Sequence, residues 1–252
     1  MHVLLLSDIH ANLEALEACL DAAPSWDLAV NLGDVVGYGA SPNEIIAHCQ
    51  RVCRYHVRGN HDRACTGATN LEGFNPIAAQ AALWTRGALW PANREWLQAL
   101  PEGPLMPNEL PGVELAHGSP LDEDEYLIAV PDALEVLLSR RPAPLTFFGH
   151  SHIQGGFFLN REHGGELHTQ IGLGNSLETS ELQLDPNARY LLNPGSVGQP
   201  RDGDWRAGFA LFDNDAHSVT FYRIPYDVKS AQRRIREAAL PERLASRLAI
   251  GR

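Results

Sequence analysis

Long blocks of like charge, internal repeats, low-complexity tracts and apolar runs long enough to cross a bilayer are all missing from this 252-residue chain. Without an apolar run of about twenty residues, no segment is suited to span a membrane as a helix. The first apolar run, Val3 to Leu6, is far too short for a signal peptide and has no basic leader. Cysteine is scarce, and the four present (Cys19, Cys49, Cys53 and Cys65) form no Cys-x-x-Cys pair. Cys49 and Cys53, four apart, therefore read as packing residues and not as metal ligands. Free thiols fit a reducing compartment, so these absences together predict a cytoplasmic protein. Excess positive charge is also missing. A formal net charge of -11 gives the chain no general attraction for nucleic acid or anionic membranes. Any phosphate-bearing substrate must then be drawn in by a local positive charge. Nothing in the sequence argues for a particular oligomer. The hydrophobic share, 44%, is enough for one large domain over residues 1–252. A C-terminal helical segment, about residues 227–250, is expected to pack on it.

What is present is one design used repeatedly. Trp26 to Leu32 is a short run that turns apolar before Gly33-Asp34. It reads as a strand delivering Asp34 to the rim of a sheet, with Gly37 and Gly39 allowing a sharp turn or a close approach. Val3 to Leu6 is a second such strand and empties into Ser7-Asp8-Ile9-His10. Residues separated by one point to the same side of extended chain, so Asp8 and His10 are placed to share a cation. Cys53 to Val57 is a third, running into Gly59-Asn60-His61-Asp62. Val113 to Ala116 leads into His117, and Leu145 to Phe148 leads into Gly149-His150-Ser151-His152. Helical patterns lie between the early strands, which implies βαβ units, and in such sheets ligands collect at the carboxyl ends of the strands.

Between these motifs, Asn12 reads as the cap of a helix through Leu13, Leu16 and Leu20, its amide near the proposed site. Ser41-Pro42-Asn43-Glu44 reads as a helix start with serine as cap and Glu44 as reciprocal partner. Asn75-Pro76 opens a further helix. Trp84, Trp90 and Trp96 read as packing residues, and the acidic run Asp122 to Glu125 reads as a solvated loop. Pro131 to Leu138 is helical in pattern. After Gly155 the pattern turns to short strands at Gly156–Leu159, Glu166–Ile171, Arg189–Leu192, Gly208–Phe212 and Ser218–Arg223. The loop from Asn193 to Arg201 offers Ser196 and Arg201 as phosphate contacts. Asp227 to Leu248 closes with a pair of amphipathic helices.

The ordered set Asp8-x-His10, Gly33-Asp34-x-x-Gly37, Gly59-Asn60-His61-Asp62, His117 and Gly149-His150-x-His152 resembles the calcineurin-like metallophosphoesterase superfamily. Within it, the chain looks like the small prokaryotic phosphodiesterases, a branch that includes diadenosine-tetraphosphatase-like proteins. The resemblance implies an α/β fold, a four-layer αββα sandwich of two mixed sheets flanked by helices. It also implies two divalent ions (Mn, Fe or Zn, with Mn favoured), one held by Asp8, His10, Asp34 and His152, the other by Asp34, Asn60, His117 and His150. By the same resemblance His61 is the general acid or leaving-group stabiliser, and Asp62 is expected to orient it. Two ions sharing a water lower its pKa, so a hydroxide between them attacks phosphorus in line. Asn12, Tyr38 and Arg201 are the expected substrate contacts.

Where protein serine/threonine phosphatases of the superfamily carry an aspartate and an arginine, this chain has Gly37 and Tyr38. It also has Asp62 where they have glutamate. A diesterase acting on a small or nucleotide-like phosphoester is therefore expected ahead of a phosphomonoesterase or phosphoprotein phosphatase. A non-catalytic scaffold would be expected to have lost ligands, and here none is lost.

Overall fold

The computed structural model describes residues 1–139 and 143–252. In chain order the elements begin with β1 (His2–Leu6), α1 (Leu13–Ala22), β2 (Leu28–Asn31), α2 (Pro42–Val52), β3 (Tyr55–His56) and α3 (Asn60–Thr66). They continue with α4 (Pro76–Ala88), α5 (Pro91–Gln98), β4 (Val113–Leu115), α6 (Val130–Leu138), β5 (Leu145–Phe147), β6 (Gly155–Leu159) and β7 (Gly164–His168). The last six are β8 (Glu178–Gln183), β9 (Arg189–Asn193), β10 (Ala207–Asp213), β11 (Ser218–Ile224), α7 (Val228–Glu237) and α8 (Glu242–Leu248). One sheet has the order β3-β2-β1-β10-β11-β8 and the other β4-β5-β9-β6-β7. The trio β1, β2 and β3 is parallel, and so is the trio β4, β5 and β9. The remaining pairings are antiparallel.

Strand alternation assigns the layers. On β1, Val3 and Leu5 enter a cluster between the sheets with Leu115, Phe147, Leu192 and Phe212. Leu4 and Leu6 point the other way, into a cluster with Leu16 of α1, Ile45 and Ile46 of α2, Ile235 of α7 and Leu244 of α8. A strand buried on both faces has no polar alternation to show, which is why β1 reads as a continuous apolar run. A third cluster joins Phe157 and Leu191 to Ala133, Val136 and Leu137 of α6. The order is thus helices, sheet, sheet, helix: the αββα sandwich expected from the resemblance.

Local structure departs from the sequence pattern at four points. Residues 60–66 and 91–98 form helices that the sequence reading did not register. Strand β8 was also missed, because this edge strand alternates exposed and half-buried residues and carries no apolar run. Trp90 is 65% exposed, although Trp84 and Trp96 do pack against the helix-side core. Ser41 occupies the cap position but its side chain makes no cap bond. Its backbone N–H donates to Ala11 O at 3.1 Å, which leaves Glu44 no donor to reach back to.

Candidate metal centre

Each candidate ligand follows the carboxyl end of a strand from one of the two parallel trios. Asp8 follows β1, Asp34 follows β2 and Asn60 follows β3, while His117 follows β4 and His150 and His152 follow β5. The loop after β9 ties the two sheets together there. Val197 N and Gly198 N donate to Ser7 O and Asp8 O, each at 3.0 Å, and Arg201 N donates to His152 O at 3.3 Å. His150 N in turn donates to the Asp8 carboxylate at 3.1 and 3.2 Å.

The backbone of these loops is unusual. Asp8, His10, Asp34, His150 and His152 have φ of 52°, 48°, 54°, 63° and 61°, and Ala11 and Tyr38 share this region. Left-handed conformations of non-glycine residues cost of order 1–3 kcal/mol each and persist only where the surroundings enforce them. Among the described residues only His217 and Ala239 adopt such angles elsewhere. The backbone strain is therefore concentrated in the loops that hold the candidate ligands.

Two donor groups result: Asp8, His10, Asp34 and His152, and Asp34, His117 and His150. Every member is buried. Asp34 Oδ2 lies 3.5 Å from His10 Nε2 in one group and 3.5 Å from His117 Nε2 in the other. Its second oxygen accepts from His61 N at 2.8 Å, which fixes the carboxylate's orientation. Asn60 Oδ1 lies 3.3 Å from His117 Nε2, so the amide oxygen joins the second group.

The hydrogen bonds behind these residues test whether a cation fits. His10 Nδ1 lies 3.1 Å from Val36 O, His117 Nδ1 2.8 Å from Leu32 O and His152 Nδ1 2.6 Å from Gln199 O. A carbonyl only accepts, so each Nδ1 carries the proton and each Nε2 faces the centre. Burial pushes the His10 and His152 imidazoles well below their usual range, so both are neutral. Their two Nε2 lone pairs then face one another at 3.2 Å, with His152 Nε2 only 3.3 Å from Asp8 Oδ1. Lone pairs so close repel unless a cation lies between them. His150 completes the set differently: its Nε2 is 3.2 Å from Asp124 O, which leaves Nδ1 as its lone pair.

The carboxylates carry the same message. Burial pushes the Asp8 carboxyl up to about 7, with His117 holding it below what burial alone would give. Asp34 stays well below the usual carboxylate range despite its burial, because His117 faces it. His117 is pushed up to about 10, since the Asp34 carboxylate overrides the effect of burial. The free protein thus stores a proton on His117 that an ion would displace. Acceptors of this kind, imidazole, carboxylate and amide oxygen, suit Mn, Fe or Zn.

The remaining expected residues fall around this centre. His61 packs against Tyr38 at 4.4 Å and His10 at 4.9 Å between ring centroids, and its buried Nδ1 has no hydrogen-bond partner. Burial lowers it to about 4, so the ring is neutral. Asp62 does not orient it. The Asp62 carboxylate accepts from Val36 N at 3.2 Å and Gly59 N at 2.9 Å, locking the loop after β2 to the start of α3. Asn12 caps α1 by accepting from Ala15 N at 3.3 Å. Its amide nitrogen donates to Gly198 O at 2.9 Å and to Tyr226 Oη at 3.3 Å. Both amide protons are therefore engaged by the protein, against the expected substrate contact. Ser196 is likewise internal, donating to Asp8 O at 2.8 Å and accepting from Gln199 N at 2.8 Å. Arg201 does face the centre, with its Nε buried and unpartnered, long contacts to Tyr38 Oη (3.4 Å) and Gln199 Oε1 (3.3 Å), and a side-chain interaction with Tyr126.

Some contributors carried no signal in the sequence. The carbonyls of Leu32, Val36, Asp124 and Gln199 set the histidine tautomers, and a carbonyl has no residue-type signature. The acidic run Asp122 to Glu125 is not simply solvated. Glu123 binds Arg58 at 2.7 Å and Arg63 at 3.4 Å, which holds the segment whose Asp124 carbonyl meets His150.

Close packing makes the geometry sensitive to small changes. A Cβ on Gly59 would stand 2.1 Å from Asp34 Oδ1 and 2.4 Å from Asp34 N. Gly59→Ala is expected to displace Asp34 and lower kcat by about 100-fold, the scale for an ångström of misplacement. The melting temperature should fall by about 2–10 °C, as for an overpacked core. Steady-state rates with a thermal melt check this, and a variant as active as the parent would show that Asp34 tolerates the shift.

The family model of the calcineurin-like phosphoesterases matches residues 1–154, which contain both donor groups. An uncharacterised protein of Methanocaldococcus jannaschii is 36% identical over 254 residues, covering 99% of this chain and 98% of its own length. The crystal structure of a metallophosphoesterase from Sphaerobacter thermophilus is 37% identical, with a TM-score of 0.82 over 100% of this chain and 99% of that one. A hypothetical protein of Pyrococcus horikoshii has the same fold, with a TM-score of 0.77 at 19% identity over 100% and 98% of the two chains. Strained loops, tautomers set by backbone carbonyls and a carboxylate between two donor groups thus coincide with a family match across the same residues: the chain belongs to the calcineurin-like phosphoesterases, metal-dependent hydrolases of phosphoesters.

Proposed function

We propose that this protein is a cytoplasmic two-ion phosphodiesterase acting on a small, nucleotide-like phosphoester. One observation carries the reading: a single oxygen, Asp34 Oδ2, is 3.5 Å from an imidazole nitrogen of each donor group. Asp8, His10, Asp34 and His152 hold one ion, and Asp34, Asn60, His117 and His150 hold the other, with manganese the favoured metal. Bound there, the ions supply a nucleophile from water at neutral pH and offset charge on the phosphoryl oxygens.

The chain's own residues do the rest. Arg201 grips a non-bridging oxygen with its guanidinium, whose Nε has no partner within the protein. His61 stands beside Tyr38 and donates a hydrogen bond to the leaving oxygen. Its proton affinity, depressed by burial, rises when an anionic phosphate enters. Tyr38 and Phe74 flank His61 and wall the pocket against water. Diester preference follows from charge. A monoester dianion needs a second gripping cation, and Tyr38 stands where the phosphoprotein phosphatases have arginine. All four cysteines are buried and free, which supports a reducing compartment. The overall charge of -11 argues against general nucleic-acid binding.

The test compares bis-p-nitrophenyl phosphate with p-nitrophenyl phosphate on the same manganese-loaded preparation. The diester is expected to have the higher kcat/KM by at least about tenfold, a difference near 1.4 kcal/mol in transition-state binding. A monoester preference would overturn the diesterase reading in favour of a phosphomonoesterase.

A further inference from the structure

Beside the pocket at the metal centre lies a larger cleft that the proposed chemistry does not use. The pocket, about 390 Å³, is lined by Asn60, His61, Phe74, Tyr126 and His150. The cleft, about 850 Å³, is lined by Pro76, Arg243, Ser246, Arg247 and Arg252. Tyr38 and Asn75 line both, so the two spaces adjoin. We propose that Arg243, Arg247 and Arg252 form a second phosphate subsite, so that the substrate is a phosphoester carrying a second phosphate group. This rests on the phosphoesterase reading above and names its substrate class.

The arginines are arranged as anion receptors. Arg243 and Arg247 are four apart on α8 and so share one face, where like charges repel. Arg247 and Arg201 bring their guanidinium carbons to 5.9 Å from the same Tyr38 ring centroid. Among the described residues, no aspartate or glutamate pairs with Arg201, Arg243, Arg247 or Arg252, although the chain has 31 acidic residues. On α7, Arg234 pairs with Glu14 and Arg236 with Glu242, while Arg233 bonds to the Ser230 hydroxyl. Arg247 donates to a main-chain oxygen of Arg252, the last residue of the sequence. Burial, with Arg201 close by, pushes Arg247 down to about 10.

A carboxylate would satisfy one guanidinium. Three guanidiniums around a cleft offer more donors and more positive charge than one carboxylate can use, and suit the three terminal oxygens of a phosphate dianion. Tyr38 then stands between the two phosphates. It separates the group that reacts, on the Arg201 side, from the group that anchors, on the Arg247 side. An acidic protein thereby directs one class of anion to its centre by a local field.

The matched probes are thymidine 5′-(p-nitrophenyl phosphate) and the same ester with a 3′-phosphate. With manganese-loaded enzyme, the 3′-phosphorylated ester is expected to have the higher kcat/KM by about 10- to 100-fold, the scale of charged hydrogen bonds, expressed mainly in KM. Arg247→Gln and the more exposed Arg243→Gln should collapse that ratio, while Arg236→Gln, whose parent is paired to Glu242, should keep it. Calorimetry on metal-free protein gives a second readout: thymidine 3′,5′-bisphosphate should bind more tightly than thymidine 5′-phosphate, and Arg247→Gln should erase the difference. Equal turnover of both esters with equal binding of both nucleotides would overturn the subsite and leave the phosphoesterase reading intact. No turnover of either ester, with the calorimetric difference retained, would overturn that reading and leave the subsite standing.

Discussion

Asp34→Asn is expected to strip both ions from the centre and lower turnover at least about 1,000-fold, several kcal/mol of transition-state stabilisation. The substitution isolates charge from shape. Asparagine keeps an oxygen to accept from His61 N, a bond of 2.8 Å in the parent, so the loop after β2 has no reason to move. At the Oδ2 position it puts an N–H donor where His10 Nε2 and His117 Nε2 each lie at 3.5 Å. That position no longer accepts a cation from either side. A singly used ligand would cost one ion; a shared ligand costs two. Metal content after dialysis against manganese, read beside the circular dichroism spectrum, checks the claim. A folded variant retaining one full equivalent of metal would show that Asp34 belongs to one site alone.

His61→Ala should leave metal content unchanged and slow hydrolysis by about 10²–10⁴-fold on esters with poor leaving groups, the usual general-acid contribution. The loss should be much smaller on p-nitrophenyl esters, whose leaving group departs as an anion without help. His61 makes ring contacts with His10, Tyr38 and Phe74, and only its backbone N–H touches Asp34. Alanine keeps that N–H, so the shared carboxylate stays in place. Rates over a series of leaving groups, with metal analysis on the same samples, separate the two roles. Equal losses on every ester together with depleted metal would make His61 part of the ion-binding shell instead.

The two substitutions differ in what they ask of the fold. Asp34 is held by the strained loop after β2 at a φ of 54°, and its effect on the ions follows from position. His61 sits at the start of α3, in a segment clamped by the two backbone bonds to Asp62, and its effect follows from proton affinity. Removing the Asp62 clamp would disturb both residues together, which is why Asp62 is not a clean probe of either.

Much of this centre was legible in the chain because its ligands fall in short motifs at strand ends. Asp8-x-His10, Gly33-Asp34, Asn60-His61 and His150-x-His152 each combine a strand pattern with a donor type, and local sequence determines both. The alternating strand and helix patterns likewise indicated βαβ units followed by a β-rich half, while the four layers came from the resemblance those motifs carry. Tertiary structure alone decided the rest. It brought a carbonyl from Leu32, Val36, Asp124 or Gln199 against each imidazole, and so set the tautomers; backbone oxygens are the same in every residue and leave no trace in sequence. It engaged both amide protons of Asn12 internally and turned Asp62 from His61 to the backbone, because a side chain's partner depends on what the fold places beside it. It also carried Arg247 of α8 to the Tyr38 ring, a contact between residues 209 positions apart, which no local pattern encodes.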